Sequence, residues 1–273
     1  MLRIEVLNIV EKYILPLGTK LAPYLPPAII ALLPGLEEET GEHFEICANL
    51  FDKIILRLGK CGFFKALWGS LLASSGHRIA CVNYLGRSVP KAILGEDVAK
   101  FCMVDIKLIS SACVVALADS QILAVRKILD FCIVHFPLSS LSVATDRAEI
   151  LIAQSILMTL LRRDMSLSRR AFTYLSGDQS SSYGFSEESI DKTCSALKGI
   201  VLQAGEIVEG LSKALKILVF LNDRTELFDD IVSKMILDLI SLAQLAHSTN
   251  SEAFSKVINF YSHRRIVIVW ISS

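Results

Sequence analysis

Apolar side chains recur at steps of three or four residues along almost the whole chain. The first such series is Ile4, Leu7, Val10 and Ile14, and it ends before Pro16. This spacing places the apolar side chains on one face of an α-helix, because 3.6 residues complete one turn. We find no segment in which apolar and polar residues alternate well enough to predict a strand. The pattern therefore predicts an all-α protein.

Glycine, proline and capping residues divide this pattern into separate helices. Gly59 ends one of them, and Asp146 is a suitable N-cap for another. A helix restarts after Asp164, and a further helix begins at Glu187 and breaks near Gly205 or Gly210, because each interior glycine costs about 1 kcal/mol relative to alanine. The other predicted helices cover residues 4–14, 27–33, 44–58, 63–72, 78–85, 96–117, 122–136, 147–163, 215–221 and 227–246.

Basic residues near helix starts suggest that the helices repeat. Arg78, Arg126, Arg170 and Lys216 are separated by steps of 48, 44 and 46 residues. A period of about 40 to 47 residues with one helix pair per unit is typical of HEAT and armadillo repeats. In such repeats an acidic residue in the turn commonly pairs with a basic residue beyond it, so we expect Asp119 to pair with Arg126. The sequence thus predicts a HEAT/armadillo-like helical-repeat solenoid.

The best-marked joint between two helices lies at residues 160–177. Arg162 and Arg163 close one helix, Asp164 can cap the next, and Arg169 and Arg170 lie in its first turns. In a structural interpretation, Asp164 caps the helix and one arginine pairs with it or with the next repeat. In a functional interpretation, the four arginines bind a phosphate group or an acidic peptide, for which guanidinium groups are well shaped. Both interpretations are open at this point.

Composition limits the possible functions. The chain has 273 residues, of which 52% are hydrophobic and 21% charged, so it can bury a large core. Lys plus Arg and Asp plus Glu both number 28, and therefore no global field attracts nucleic acid or an acidic membrane; any such attraction must be local. Prolines interrupt the apolar run at 21–36, and the run at 266–271 is too short to span a bilayer, so no transmembrane helix is predicted.

The residues that usually carry chemistry form no recognisable motif. The seven cysteines are scattered without a CxxC pair, which indicates a reducing compartment and small buried side chains. The five histidines are far apart, and the sequence contains no HExxH, GxSxG, P-loop or dinucleotide motif. Cys132 and His135 lie on one apolar helix, where core packing is the simpler explanation. We therefore predict no enzyme activity, no metal and no cofactor.

The joint also resembles a known family. Residues 160–170, LLRRDMSLSRR, followed by YLSG at 174–177, are similar to the N-terminal domain of the Dopey family. Further similar segments follow the same order and together extend over roughly residues 6–240, at 6–18, 31–38, 63–68, 94–97, 125–136 and 218–223. We therefore predict a Dopey N-terminal-like domain at 1–261, with a loop near 177–186 as a boundary between subdomains. The tail 262–273 does not resemble the family.

The resemblance implies a function that the residues alone do not reveal. Dopey proteins are large, helical, non-enzymatic scaffolds, peripherally attached to Golgi and endosomal membranes and active in endosome-to-Golgi and Golgi traffic. Their implied partners are an Arf-exchange-factor-related Golgi scaffold, aminophospholipid flippases and kinesin, with no nucleic acid. The implied location is the cytoplasmic face of these organelles. The alternative function is a phosphoinositide or acidic-ligand binding module that uses Arg162, Arg163, Arg169 and Arg170.

Overall fold

The protein is all-α in every part of the chain that the structure describes. The computed structural model describes residues 4–138, 146–176, 187–221 and 225–255, and all regular elements in these ranges are helices. The chain forms two compact units, Met1–Glu149 and Ile150–Ser273. The predicted boundary loop at 177–186 and the predicted tail at 262–273 lie outside the described residues. A subdomain boundary at 177–186 and a separate tail therefore stay predictions.

Among the described residues, eight α-helices lie within the first unit, and a ninth spans the division between the units. They are α1 (Ile4–Ile9), α2 (Leu25–Leu32), α3 (Phe44–Leu58), α4 (Lys60–Ala73), α5 (Arg78–Ser88), α6 (Glu96–Cys102), α7 (Ile106–Leu117), α8 (Ile122–His135) and α9 (Asp146–Thr159). A π-helical turn (Val10–Ile14) and a 3-10 segment (Leu15–Tyr24) connect α1 to α2, and a second 3-10 segment (Leu33–Leu36) follows α2. The predicted end of a helix at Gly59 is confirmed, since Gly59 has φ of 82° and follows the last residue of α3.

Two successive helix pairs stack on each other in the first unit. Helices α4 and α5 contact each other, as do α7 and α8, while α4 packs against α7 and α5 against α8. The starts of α4 and α7, and likewise of α5 and α8, lie about 45 residues apart, which is the period of HEAT and armadillo repeats. The predicted helical-repeat fold is confirmed.

An aromatic cluster joins three neighbouring helices of the first unit. Phe51 on α3, Phe63 on α4 and Tyr84 on α5 are all buried, and their ring centroids lie 5.0 to 5.6 Å apart in edge-to-face arrangements. Edge-to-face contact places the positive rim of one ring on the negative face of another. The Tyr84 hydroxyl donates to Asp52 Oδ1 at 2.7 Å, so its polar atom is satisfied at the border of the core. These contacts fix α3 to the first stacked pair.

A buried ion pair connects the two stacked pairs. Arg78, the first residue of α5, donates from Nη1 to Asp119 Oδ2 in the turn between α7 and α8. The two side chains are only 10% and 1% exposed. Arg78 Nε also donates to Leu71 O at 3.2 Å, and Asp119 Oδ1 accepts from Gln121 N at 2.7 Å. The structure therefore shows Asp119 bound to the preceding repeat, whereas its expected pairing with Arg126 stays a prediction.

The prediction of one long helix over residues 96–117 is wrong. The segment breaks into α6 and α7 at Met103, whose φ of 56° lies in the left-handed region. The side chain of Asp105 then caps α7 by accepting from Lys107 N at 2.8 Å. Apolar residues on both sides of the break, including Cys102 and Ile109, are buried. The apolar pattern of the sequence is therefore continuous and does not show where one helix ends and the next begins.

The second unit is built around three mutually packed helices. It contains a short 3-10 turn (Leu160–Arg162), α10 (Met165–Ser176), α11 (Glu187–Leu202), α12 (Ile207–Leu221) and α13 (Thr225–Thr249). Helices α11, α12 and α13 all contact one another. The break predicted near Gly205 is confirmed, because α11 ends at residue 202 and α12 begins at residue 207. The spacing pattern predicted that Lys216 lies near a helix start. This is wrong, because Lys216 lies in the second half of α12.

Helix α13 meets the length and composition criteria for a membrane span, although none was predicted. The stretch Phe228–Thr249 has a mean hydropathy of 1.2, and 22% of it is buried. A single helix of this kind is weak evidence for a membrane span, because core helices pass the same criteria. Ion pairs tie α13 to α11, among them Lys234 with Asp191 at 2.7 Å and Lys198 with Asp238 at 2.5 Å. These contacts make α13 a packed helix of the second unit.

Replacing Arg78 tests the ion pair between the stacked repeats. We expect Arg78→Met to lower the free energy of unfolding by about 3–5 kcal/mol, because it removes the buried guanidinium group that donates to the Asp119 carboxylate. The double variant Arg78→Met/Asp119→Asn should lose less than Arg78→Met alone. Chemical denaturation measures both. Lys100→Met removes a partner from the exposed Lys100–Asp97 pair and should destabilise the protein much less. Equal losses for Lys100→Met and Arg78→Met would contradict the proposed importance of the buried pair.

Replacing Gly210 tests the close approach of α11 and α12. A β-carbon at Gly210 would lie 2.7 Å from both the Val201 carbonyl oxygen and the Ala204 β-carbon. Because a backbone atom cannot move aside easily, we expect Gly210→Ala to lower the melting temperature and to cost about 1–3 kcal/mol. Gly69, inside α4, has nothing within 4 Å of a built β-carbon, so Gly69→Ala is the matched control and should be neutral or stabilising. A stabilising Gly210→Ala would show that the two helices are not in contact there.

Candidate functional site

The arginine-rich joint of the second unit folds as a tightly capped turn. Helix α9 passes into the 3-10 turn, and Arg163 then adopts the left-handed region with φ of 56° and ψ of 28°. Asp164 Oδ1 accepts from the backbone N–H groups of Ser166 and Leu167, both at 2.9 Å. The Ser166 hydroxyl donates to the same oxygen at 2.5 Å. The prediction that Asp164 caps the second helix is confirmed.

Buried leucines on each side anchor this turn. Leu160, in the 3-10 turn, and Leu167, in the first turn of α10, are both fully buried. The 3-10 turn also contacts α10 and α12. Because the apolar side chains point inward at both ends and Asp164 closes the backbone between them, the turn has a defined conformation.

The four predicted arginines do not share one environment. Arg162, Arg163 and Arg169 are exposed to solvent, whereas Arg170 is half-buried. Arg170 Nη1 donates to the Ser166 carbonyl oxygen at 3.3 Å, one turn back along α10. The predicted pairing of one arginine with Asp164 or with the next repeat stays a prediction. Three of the four guanidinium groups therefore lie on the surface around a single turn, and the fourth is held against its own helix.

Sequence reasoning missed one residue of this surface. Met165, the first residue of α10, is 89% exposed. The buried face of α10 is formed by Leu167, Ala171, Tyr174 and Leu175. Each residue rotates the helix by about 100°, so a side chain two positions before Leu167 points away from that face. The position of Met165 around the helix axis, relative to Leu167, is the signal in the sequence that indicates its exposure.

We name these exposed residues, Arg162, Arg163, Met165 and Arg169, the basic tip. Within the part of the chain that the structure describes, neither Arg163 nor Arg169 makes a side-chain ion pair. The tip therefore presents at least two guanidinium groups available for an anion from outside the chain. Such groups bind phosphate and carboxylate oxygens through paired hydrogen bonds.

Six of the seven cysteines are buried, and Cys61 is exposed. Burial raises the pKa of Cys81 to about 12 and that of Cys47, Cys102 and Cys194 to about 11. The neighbouring Cys113 thiol and burial raise the pKa of Cys132. A thiol with a raised pKa holds little of the reactive thiolate form. These cysteines pack as small apolar side chains, in agreement with the sequence interpretation.

His135 likewise belongs to the core. It is 2% exposed, and its Nδ1 donates to the Ile93 carbonyl oxygen at 3.0 Å. Burial lowers the pKa of His135. It ties the loop before α6 to the end of α8, where Gly95 N also donates to the His135 carbonyl oxygen at 2.7 Å. The described residues contain no group of three potential metal ligands among His, Cys, Asp and Glu.

A shallow cavity of about 420 Å³ lies at the turn between α6 and α7. The residues lining it are Glu96, Ala99, Lys100, Met103, Val104, Asp105 and Ile106. Hydrogen bonding to Asp97, at 3.0 Å, raises the pKa of Lys100. None of the arginines of the joint lines this cavity, so the basic tip is a separate surface.

Comparison with known proteins places the chain in a family. A family model described as Dopey, N-terminal, matches residues 1–180. Protein DOP1B of Mus musculus is 30% identical over 269 residues, covering 86% of this chain and 12% of its own length. The DOP1 homolog of Drosophila melanogaster is 32% identical over 177 residues, and pad-1 of Caenorhabditis elegans is 32% identical over 172 residues. These matches cover 65% and 63% of this chain, and 7% of each relative.

The chain therefore spans about an eighth or less of the length of these relatives. None of these three relatives carries the name of an enzyme. No solved structure matches the chain. The family model covers the first stacked repeats and the basic tip, and the sequence resemblance at 160–170 lies inside it. On this basis the chain belongs to the Dopey family.

Proposed function

We propose that the chain is part of a non-enzymatic scaffold in endosome-to-Golgi and Golgi vesicle transport. Membership of the Dopey family carries this proposal. The stacked helix pairs support it, because helical repeats present extended surfaces to protein partners. Among the described residues, burial raises the pKa of Cys81 and lowers that of His135, and both side chains pack in the core. A binding surface is therefore the more economical explanation of the fold.

The proposed partners follow from the family. They are an Arf-exchange-factor-related Golgi scaffold, an aminophospholipid flippase and kinesin, met at the cytoplasmic face of Golgi and endosomal membranes. Because the chain spans only 12% of the mouse relative, it would contribute part of such an assembly.

A second function is favoured by the exposure of three arginines at the joint. Arg162, Arg163 and Arg169 lie on the surface, so this region can bind a phosphoinositide headgroup or another acidic ligand. Each basic residue near an anionic membrane contributes about 1 kcal/mol, and three would give weak, salt-sensitive attachment. Such attachment would assist a scaffold rather than replace its protein contacts.

Direct binding to a purified partner tests the scaffold proposal. The complete 273-residue chain and the purified Arf-exchange-factor-related scaffold should elute together in size-exclusion chromatography and show saturable binding by calorimetry. An unrelated helical-repeat protein of similar size is the control for non-specific association. If a longer Dopey protein binds this partner and the present chain does not, the interface lies outside this chain.

Charge removal at the joint tests the second function. We expect Arg162→Ala/Arg163→Ala/Arg169→Ala to weaken binding to vesicles that contain phosphatidylinositol 4-phosphate by about 100-fold, and to reduce its salt dependence. Arg170→Ala should have little effect on binding, since its side chain is held against Ser166. The matched control replaces three exposed basic residues of the first unit, Arg57, Lys65 and Lys107, with alanine. Equal losses in both triple variants would indicate general charge attraction instead of a site.

A further inference from the structure

The most exposed large apolar side chain that the structure describes lies in the middle of the basic tip. Met165 is 89% exposed, compared with 85% for Leu56 and 75% for Leu237. Single exposed apolar residues are common on protein surfaces and need no explanation by themselves. Met165 differs because arginines flank it on both sides. Arg162 and Arg163 precede it by three and two positions, and Arg169 follows it by one helical turn.

Folding does not explain why a methionine occupies this position. α10 already buries its inward face through other residues, and Met165 at its first position contributes little to the core. The helix cap is made by Asp164 and Ser166 without the Met165 side chain. A polar side chain at residue 165 would therefore serve the fold equally well. The apolar character of this residue suits a contact outside the chain.

The backbone holds the tip outward. The left-handed conformation of Arg163 and the Asp164 cap fix the turn, and the buried Leu160 and Leu167 anchor both ends. A preformed turn binds with a smaller entropy cost than a flexible loop. The N–H groups of Ser166 and Leu167 already donate to Asp164, so the ligand contacts come from side chains and not from the helix terminus.

The combination points to one occupant. Exposed guanidinium groups attract phosphate, but a free phosphate or a small headgroup would leave Met165 in water. An acidic peptide supplies carboxylates for the arginines, but it covers Met165 only if it also carries an apolar side chain at a matching position. A lipid bilayer satisfies both features, because its headgroups bind the arginines while its acyl boundary accepts an apolar side chain.

We infer that the basic tip is a membrane-docking element in which Met165 enters an anionic lipid surface while Arg163 and Arg169, with Arg162, bind the headgroup phosphates. This inference rests on the second proposed function, the binding of acidic ligands at the joint. It adds that the ligand belongs to a bilayer and that an apolar side chain contributes to binding. Substitutions of Met165 therefore distinguish membrane docking from the binding of phosphate alone.

Vesicle co-sedimentation of the complete chain tests this inference. The probes are phosphatidylcholine vesicles with and without phosphatidylserine, and soluble inositol phosphate as a competitor. We expect Met165→Ser to weaken binding to the anionic vesicles about ten-fold, because it removes an apolar side chain from the acyl boundary. Met165→Leu should bind like the natural chain. Leu237→Ser is the matched control, since Leu237 is an exposed apolar residue of the same unit away from the arginines in sequence.

Fluorescence gives a second readout that a structural role would not change. Met165→Trp should shift its emission to shorter wavelength on anionic vesicles and should be quenched by brominated lipids. Leu237→Trp should show neither change and also corrects for the natural tryptophans, Trp68 and Trp270.

The outcomes separate this inference from the function on which it rests. Loss of binding in both the triple arginine variant and Met165→Ser, with quenching at residue 165, supports membrane docking. Loss in the arginine variant alone, without quenching, overturns insertion of Met165 but retains acidic-ligand binding. Binding unchanged in both variants overturns both. Full displacement by soluble inositol phosphate together with unchanged binding of Met165→Ser also overturns the inference.

Discussion

The buried ion pair between Arg78 and Asp119 is the contact on which the first unit most depends. It connects the start of α5 to the turn between α7 and α8, and both charges are largely removed from water. A buried charge is costly without an opposite charge beside it. The pair therefore favours the packing of the two repeats that brings Arg78 next to Asp119. The surrounding apolar contacts supply stability, and the ion pair joins the start of one repeat to the turn of the next.

This stacking explains why the fold suits an adaptor. Repeats of about 45 residues bury their apolar faces against one another and leave an extended surface for partners. Burial raises the pKa of Tyr84 and lowers that of His135, and both side chains pack in or beside the core. Function in such a protein depends on what its surface presents, and the Dopey relatives provide the biological setting.

At the joint, structural and functional roles belong to different residues. Asp164 caps α10, and Arg170 bonds to its own helix. Arg162, Arg163 and Arg169 remain on the surface with Met165 between them. The two interpretations that the sequence left open are therefore compatible, because the same cap that ends one helix and starts the next also holds the arginines outward.

The sequence by itself determined the features that depend on neighbouring residues. The all-α class, the helix end at Gly59, the Asp164 cap and the break at Gly205 follow from periodicity and local hydrogen bonding. Only the tertiary structure decided the break at Met103, the pairing of Asp119 with Arg78, and the exposure of Met165. A sequence does not show whether an apolar residue is buried or exposed in the folded protein. It also does not show which of the distant charged residues pairs with Asp119, since Arg78 lies 41 residues away. Those properties depend on which surfaces meet when the helices stack.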